Sequence, residues 1–214
     1  YLNDSHFVTK KEFRGNFEKR PVDDMILEDT DPHYRVLDLS VNTFNDAYIS
    51  YHHKTIGGYS PVKLQRYQDL IERNITGEIG AIAAEFGNIR TIEEAEDALG
   101  YHPVLSMLNT KYIVINGNVP PVENKYRLGN AWFVRNIVPA NNANEEINAL
   151  ATINPATDAV ISNDFLNGDG FLALTANDKG EEIADMSLNN YIELASYSPN
   201  RMVYNCSSDR PQIA

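Results

Sequence analysis

The stretch GGYSPVKLQRYQDLIE at residues 57–72 joins a flexible turn to a helix. Gly57 and Gly58 allow backbone conformations closed to other residues and leave room for a close approach. Ser60 is placed to cap a helix beginning at Pro61, because a hydroxyl accepts free N–H groups of the first turn and proline suits its first position. The stretch therefore predicts an accessible turn in front of a cationic helix, which suits an anionic or sugar-like ligand.

Apolar periodicity and turn residues predict the elements on both sides of this stretch. HYRVLDLS at 33–40 predicts a first buried strand. KYIVI at 111–115 is too apolar to be half exposed, so it predicts a central strand. We expect AWFVRNIV at 131–138 to neighbour KYIVI inside one sheet, with Ile113, Ile115, Trp132 and Val134 largely buried. Helices are expected at 44–53, 61–73, 92–99, 103–108 and 142–150, a strand at 158–162, and either a weak helix or a mobile loop at 74–88.

The C-terminal region predicts a hairpin, because the turn-forming residues at 198–200 separate two strand patterns at 191–197 and 202–207. The whole order indicates an α/β or α+β fold: a mixed β-sheet with packed helices, plus this C-terminal β-hairpin. We expect an irregular lead-in at 1–32, a mixed α/β core domain at 33–162, and a loop followed by the hairpin at 163–214.

The amino-acid composition argues against some classes of function. The chain has 214 residues and a formal net charge of −12, which argues against nucleic-acid binding and disfavours adhesion to anionic lipid head groups. A single cysteine, Cys206, excludes an internal disulfide. No stretch approaches the ~18–20 apolar residues of a membrane span.

Several blocks occur in an order found in one family. They are YLND at 1–4, NDAYISYHHKTI at 45–56, GGYSPVKLQRYQDLI at 57–71, MLNTKYIVING at 107–117, LGNAWFVRNI at 128–137, NEEINAL at 144–150 and SYSPNRMVY at 196–204. With these blocks the chain resembles the extracytoplasmic part of YfhO-like bacterial membrane proteins, which are multi-pass proteins related to the GT-C type of lipid-linked sugar transferase. The resemblance covers most of the chain except about 154–190.

The resemblance implies an extracytoplasmic location, periplasmic or on the outer face, with anchoring to the cytoplasmic membrane through transmembrane helices outside this sequence. One such span would precede Tyr1, and the C-terminal hairpin would belong to a second β subdomain that continues past Ala214. The implied partners are the membrane-embedded remainder of the same polypeptide and a glycan or lipid-linked sugar.

No residue of this chain is expected to be catalytic. The essential carboxylate of GT-C-type enzymes lies in an early loop outside this sequence, and nucleotide-binding, zinc-protease and serine-hydrolase motifs are absent from it. His52 and His53 would point about 100° apart on a helix, so we expect no metal there. Instead, we expect one of them to lie at the surface or at the edge of the core and to form a hydrogen bond with a neighbour. No cofactor is expected, and whether the parent protein is an enzyme stays open.

The resemblance marks a set of polar positions as ligand-binding candidates. They are Asn45, Asp46, Tyr51, His52, Gly57, Gly58, Tyr59, Ser60, Lys63 and Arg66. The alternative is that this segment has only a structural role, as a corner of the fold, and binds no ligand. In the same way, the aromatic residues Tyr48, Tyr51, Tyr59, Tyr67 and Trp132 form either a sugar-stacking surface or part of the core.

Three functions follow from these observations. The first is an extracytoplasmic domain of a YfhO-like protein, accessory to glycosyl transfer onto a cell-envelope polymer or glycolipid. The second is a non-catalytic glycan-binding or scaffolding module. A free-standing soluble enzyme ranks last, because the catalytic signatures are missing.

Overall fold

The computed structural model describes residues 7–166, 190–208 and 213–214. The chain divides into two compact units. The first unit comprises residues 1–63, 85–99 and 110–125, and the second comprises 64–84, 100–109 and 126–214. The segments of these two units alternate along the chain.

The helices and strands have the following bounds. The helices are α1 (Lys10–Gly15), α2 (Pro21–Leu27), α3 (Tyr48–His52), α4 (Gln65–Leu70), α5 (Thr76–Glu85), α6 (Ile92–Ala98), α7 (Pro103–Met107), α8 (Ala143–Ala149) and α9 (Asn163–Leu166). A π-helical turn, Ile71–Ile75, joins α4 to α5, and a 3-10 turn, Phe86–Asn88, follows α5. The strands are β1 (Arg35–Asp38), β2 (Thr110–Val114), β3 (Val122–Glu123), β4 (Asn136–Ala140), β5 (Asp158–Ser162), β6 (Tyr191–Ser198) and β7 (Arg201–Ser207).

The first unit is built on a mixed three-stranded sheet. Strand β2 lies in the centre, parallel to β1 and antiparallel to β3, with Leu37 opposite Ile113 in the parallel register. Helix α2 packs Val22 and Ile26 into the core of this unit, where both are completely buried. The rings of Tyr34 and Tyr112 meet in a T-shaped arrangement, with their centroids 5.1 Å apart.

The second unit contains two separate pairs of strands. Strands β4 and β5 are parallel, joined through α8, and strands β6 and β7 form the C-terminal antiparallel hairpin. The predicted fold class is confirmed: helices pack with a mixed sheet, and a C-terminal hairpin is present. The central position of KYIVI is confirmed as well.

The prediction for AWFVRNIV was wrong. Strand β4 begins only at Asn136 and pairs with β5, in a different sheet from β2. Before it, the N–H groups of Arg135 and Asn136 both donate to the Thr157 carbonyl, so the backbone does not continue as a regular strand. Trp132 and Val134 are half-buried, and Ile115 is 36% exposed.

The described part of the expected irregular lead-in contains two short helices. Helix α1 begins with a capping box between Thr9 and Glu12, and α2 begins with Pro21 at its first position. Val22 and Ile26 lie one turn apart on α2, which gives the helix a buried face among many charged residues.

The helix expected from Pro61 begins four residues later. Leu64 is the residue before α4 and has an extended backbone, while the Ser60 hydroxyl accepts only the N–H of Val62, at 3.3 Å. Residues 74–88, expected as a weak helix or a loop, are helical. Of the loop expected at 163–190, Asn163–Leu166 is a helix and 167–189 lie outside the described residues.

Candidate functional site

A buried group of charged residues lies at the start of α2. The Nε of Arg20 donates to Oδ2 of Asp23 at 3.0 Å, and its Nη2 donates to Oδ1 of Asp23 at 3.0 Å and to Oδ2 of Asp38 at 2.8 Å. Both carboxylates are completely buried, whereas the Arg20 side chain is 21% exposed. Ser40 completes the arrangement by donating its hydroxyl to Asp38 and accepting from Nη1 of Arg20. One guanidinium thus bridges two carboxylates brought together by α2 and the end of β1.

Two further side chains from α3 and its C-terminal end close the group. The Tyr48 hydroxyl lies 2.8 Å from Oδ2 of Asp23, and its ring lies under the Arg20 guanidinium at 4.6 Å. Nε2 of His53 is 3.1 Å from Oδ1 of Asp23, and its side chain is only 1% exposed. We call Arg20, Asp23, Asp38, Tyr48 and His53 the arginine cluster.

The protonation states in the arginine cluster follow from its contacts. Burial opposes ionisation of Asp23, but hydrogen bonds from Arg20 and Tyr48 outweigh it and lower the pKa of that carboxyl far below its usual range. Burial also lowers the pKa of His53, against the attraction of Asp23. Burial and the Asp23 contact raise the pKa of Tyr48 to about 12. At neutral pH a charged Asp23 therefore accepts hydrogen bonds from a neutral tyrosine and a neutral imidazole N–H.

A cleft opens over the exposed side of the arginine cluster. Its volume is about 440 Å³, and it is lined by Asn16, Phe17, Arg20, Val41, Asn45, Asp46, Ala47 and Tyr48. Oδ1 of Asp46 accepts the backbone N–H of Tyr48 at 2.6 Å, which fixes the loop in front of α3. Asn45 is exposed beside it. The cleft thus combines a guanidinium, two amides and a carboxylate with two aromatic rings.

Gly57 and Gly58 form a turn in the first unit that packs against the backbone of Thr43. A Cβ on Gly57 would lie 1.8 Å from the Thr43 carbonyl oxygen, so no side chain fits there. Gly58 has a φ of +100° and donates its N–H to the same carbonyl at 2.8 Å. Tyr59 donates its N–H to the carbonyl of Asp46 at 3.2 Å. The glycine turn therefore anchors the loop that carries Asn45 and Asp46.

The other predicted ligand-binding residues of this segment do not line the cleft, and their surroundings differ. Tyr51 and Tyr59 are 67% and 62% exposed, and Tyr51 stacks on Phe17 with centroids 4.7 Å apart. Nε2 of His52 is buried with no hydrogen-bond partner, whereas His53 makes the core-edge contact that was expected for one of the pair. Lys63 lies over the ring of Phe44 at 5.4 Å.

Arg66 belongs to the second unit, where it lines a different cavity. That cavity has a volume of about 480 Å³ between α4, the π-helical turn and α8, and its walls include Leu70, Ile147 and Val160. Arg73, on the same helical stretch, donates to the Asn148 side chain at 3.3 Å. Of the aromatic candidates, Tyr48 lines the cleft of the first unit, and Tyr67 lines this second cavity.

A half-buried carboxylate stabilises the start of α7 in the second unit. The two oxygens of Glu78 accept the N–H groups of Val104 at 2.8 Å and Leu105 at 2.9 Å. Burial raises the pKa of this carboxyl, although the two N–H groups favour its ionised form. Glu78 thereby satisfies free donors of a helix whose own N-terminal residue, His102, provides no side-chain cap.

Sequence reasoning missed most of the arginine cluster. Arg20, Asp23, Asp38 and His53 come from three separate segments, and only their fold brings them together. One local signal was available: Pro21 followed by Asp23 is typical of a helix N-terminus, with the carboxylate turned back toward the preceding N–H.

Comparison with family models, curated proteins and solved structures found no match. Across the described residues, no helix is long and apolar enough to cross a membrane. Within the same part of the chain, no group of three His, Cys, Asp or Glu side chains is arranged to hold a metal ion.

Proposed function

We propose that this chain forms part of the extracytoplasmic region of a YfhO-like membrane protein, accessory to glycosyl transfer onto a cell-envelope polymer or glycolipid. In this role the cleft beside Arg20 binds the sugar portion of a glycan or of a lipid-linked sugar. One observation carries the proposal: Asn45 and Asp46, marked by the family resemblance, line the same cleft as Arg20 and Tyr48.

The lining suits sugar hydroxyls, each of which donates and accepts hydrogen bonds. Arg20 supplies donors, Asp46 supplies acceptors, and the Asn45 amide supplies both. The ring of Phe17 offers an apolar surface to the C–H face of a sugar. A volume of about 440 Å³ is within the range of small-molecule sites.

The charge balance favours a neutral sugar over its phosphate. Arg20 is bonded to two buried carboxylates, so its positive charge is already compensated. The same contacts hold the guanidinium in one geometry, which lowers the entropy lost when a ligand binds. A phosphate would gain little at this site, whereas a hydroxyl still finds an oriented donor.

We assign the transfer step to other parts of the parent protein. Asp23 has a strongly lowered pKa, and His53 is neutral and buried, so neither is suited to donate a proton to a leaving group. Purified residues 1–214 should therefore show no transferase or hydrolase turnover of a lipid-linked sugar donor. Robust turnover would contradict this assignment.

Titration calorimetry with cell-envelope oligosaccharides tests the cleft. We expect Asn45→Ala to weaken binding roughly three- to tenfold, the range expected for one lost hydrogen bond. Asn42→Ala is the matched control, since Asn42 is exposed in the same loop but does not line the cleft. If no oligosaccharide binds, or both variants bind alike, the cleft is not a glycan site and the scaffolding alternative is favoured.

A separate experiment tests the family assignment. The reading frame that encodes this chain should also encode several membrane-spanning helices, and its deletion should change the composition of envelope glycans. A frame without such helices would overturn the assignment to a YfhO-like protein and would leave the calorimetric result standing.

A further inference from the structure

The segment around α1 differs in charge from the rest of the molecule. Residues 7–20 contain five Lys and Arg against two Glu, in a chain whose formal net charge is −12. Lys19 pairs with Asp24, and Arg20 is held in the arginine cluster. Among the residues that the structure describes, the side chains of Lys10, Lys11 and Arg14 have no acidic partner. Three exposed cations are therefore available at one helix.

The same segment exposes large apolar side chains. Phe7 is 82% exposed, Val8 60% and Phe13 57%, and Tyr51 of α3 is 67% exposed. Three rings form a continuous row, because Phe13 contacts Phe17 with centroids 5.4 Å apart and Phe17 contacts Tyr51 at 4.7 Å. Such a row is costly to leave in water and indicates a surface that is covered in use.

Exposed aromatic rings flanked by free Lys and Arg are typical of segments that lie in a membrane interface. There the rings enter the head-group region while the cations bind anionic lipid. A second copy of the chain is a poorer occupant, because a symmetric contact through this face would bring like charges together. The acidic remainder of the chain is repelled by an anionic surface, which orients this segment toward it.

We propose that Phe7, Val8, Phe13 and Tyr51, together with Lys10, Lys11 and Arg14, form a patch that docks on an anionic lipid bilayer. We call these residues the basic aromatic patch. The net charge alone predicts poor adhesion to such lipid, but the local charge at this patch has the opposite sign. The inference does not depend on glycan binding in the cleft, and its test contains no glycan.

Sedimentation with lipid vesicles tests the patch on the 214-residue chain. The chain should bind vesicles that mix phosphatidylglycerol with phosphatidylcholine, release from them at high salt, and bind phosphatidylcholine alone far more weakly. Lys10→Gln/Lys11→Gln should lower the partition coefficient about thirtyfold, since each cation near such a surface contributes on the order of 1 kcal/mol.

Two comparisons make the result decisive. Arg90→Gln/Arg135→Gln removes the same charge from exposed positions outside the patch, and it should leave vesicle binding unchanged. Phe13→Ser should reduce binding while keeping the circular dichroism spectrum and melting temperature, because the ring is mostly exposed.

Three outcomes would overturn the proposal. The first is failure of the wild-type chain to bind the anionic vesicles at low salt. The second is an equal loss of binding in the Arg90/Arg135 control. The third is a concentration-dependent dimer, seen by analytical ultracentrifugation, that Phe13→Ser abolishes while vesicle binding is absent, which would assign the patch to a second copy.

Discussion

The first unit places a guanidinium between its buried carboxylates, whereas in the second unit the oxygens of Glu78 accept hydrogen bonds from two backbone N–H groups. The two solutions have opposite effects on protonation. Contacts with Arg20 lower the pKa of Asp23, while burial raises the pKa of Glu78 despite two hydrogen bonds. Both carboxyl groups accept hydrogen bonds, so hydrogen bonding alone does not explain the difference. The guanidinium beside Asp23 also compensates the charge of the carboxylate, which favours its ionised form.

The largest expected effect is in the arginine cluster. Arg20→Met leaves Asp23 and Asp38 buried without a counter-charge and should lower the free energy of unfolding by about 3–5 kcal/mol, measured by urea denaturation. Lys19→Met is the control, because the neighbouring pair with Asp24 is exposed and should contribute at most ~1 kcal/mol. Equal effects of the two substitutions would show that burial does not distinguish the pairs.

The glycines give the next comparison. Gly57→Ala forces a Cβ against the Thr43 carbonyl and should destabilise the first unit by about 1–3 kcal/mol. Gly80→Ala in α5 of the second unit meets no atom within 4 Å and should stabilise by about 0.5–1 kcal/mol, because alanine favours the helix. Thermal melting should show a lower melting temperature for Gly57→Ala and a higher one for Gly80→Ala. A higher melting temperature for Gly57→Ala would contradict the close approach to Thr43.

Gly58→Val should lower the free energy of unfolding by roughly 1–3 kcal/mol, because Gly58 has a positive φ that strains a β-branched residue.

Glu78→Gln tests the second unit directly. The amide keeps one oxygen acceptor but loses the other, so one of the two N–H groups at the start of α7 loses its partner. We expect a loss of about 1–2 kcal/mol near neutral pH. Hydrogen exchange should report faster exchange at Val104 and Leu105, while exchange in β1 and β2 stays unchanged. Protection of both amides as strong as in wild type would argue against this capping role.

The pH dependence of the two units should differ in sign. Asp23 has a folded pKa below its unfolded value near 3.8, so its contribution is complete above that value and is lost as pH falls further. Glu78 has a folded pKa above its unfolded value near 4.5, so its contribution declines as pH rises from there. Hydrogen exchange resolved by segment measures both, and Glu78→Gln should remove only the second trend.

The smallest effects are expected from exposed cations. Arg66→Ala should change the free energy of unfolding by less than ~0.5 kcal/mol, because Arg66 is exposed on α4. It should also leave oligosaccharide binding unchanged, since it lines the cavity of the second unit. A loss of glycan affinity as large as that of Asn45→Ala would place the ligand outside the cleft.

The sequence predicted elements whose signal is local. KYIVI is continuously apolar and became the central strand, and the turn at 198–200 correctly predicted the hairpin. Gly58 has a positive φ, which is one of the conformations that the sequence analysis reserved for glycine. The position of β4 was not predictable in this way, because its partner β5 and the hydrogen bonds at Thr157 lie about twenty residues downstream.

The site was less predictable than the fold. Asn45 and Asp46 could be named from the family resemblance, and Tyr48 was one of the aromatic candidates, but their neighbour Arg20 could not be distinguished from an ordinary surface residue. A charged residue in sequence gives no sign of whether it is buried, and the burial of Asp23 and Asp38 depends on helix α2, whose own pattern is short and masked by charge.

The alternation of the two units has a consequence for cutting the chain. The backbone passes from one unit to the other at 63–64, 84–85, 99–100, 109–110 and 125–126. No single cut therefore separates one unit from the other, and a fragment that ends at Lys125 keeps all of the first unit together with unpartnered pieces of the second. Limited proteolysis at any of these junctions should release no stable half. The two units are compact, but each is assembled from several segments of the chain. We therefore expect both units to fold and unfold as parts of one uninterrupted polypeptide.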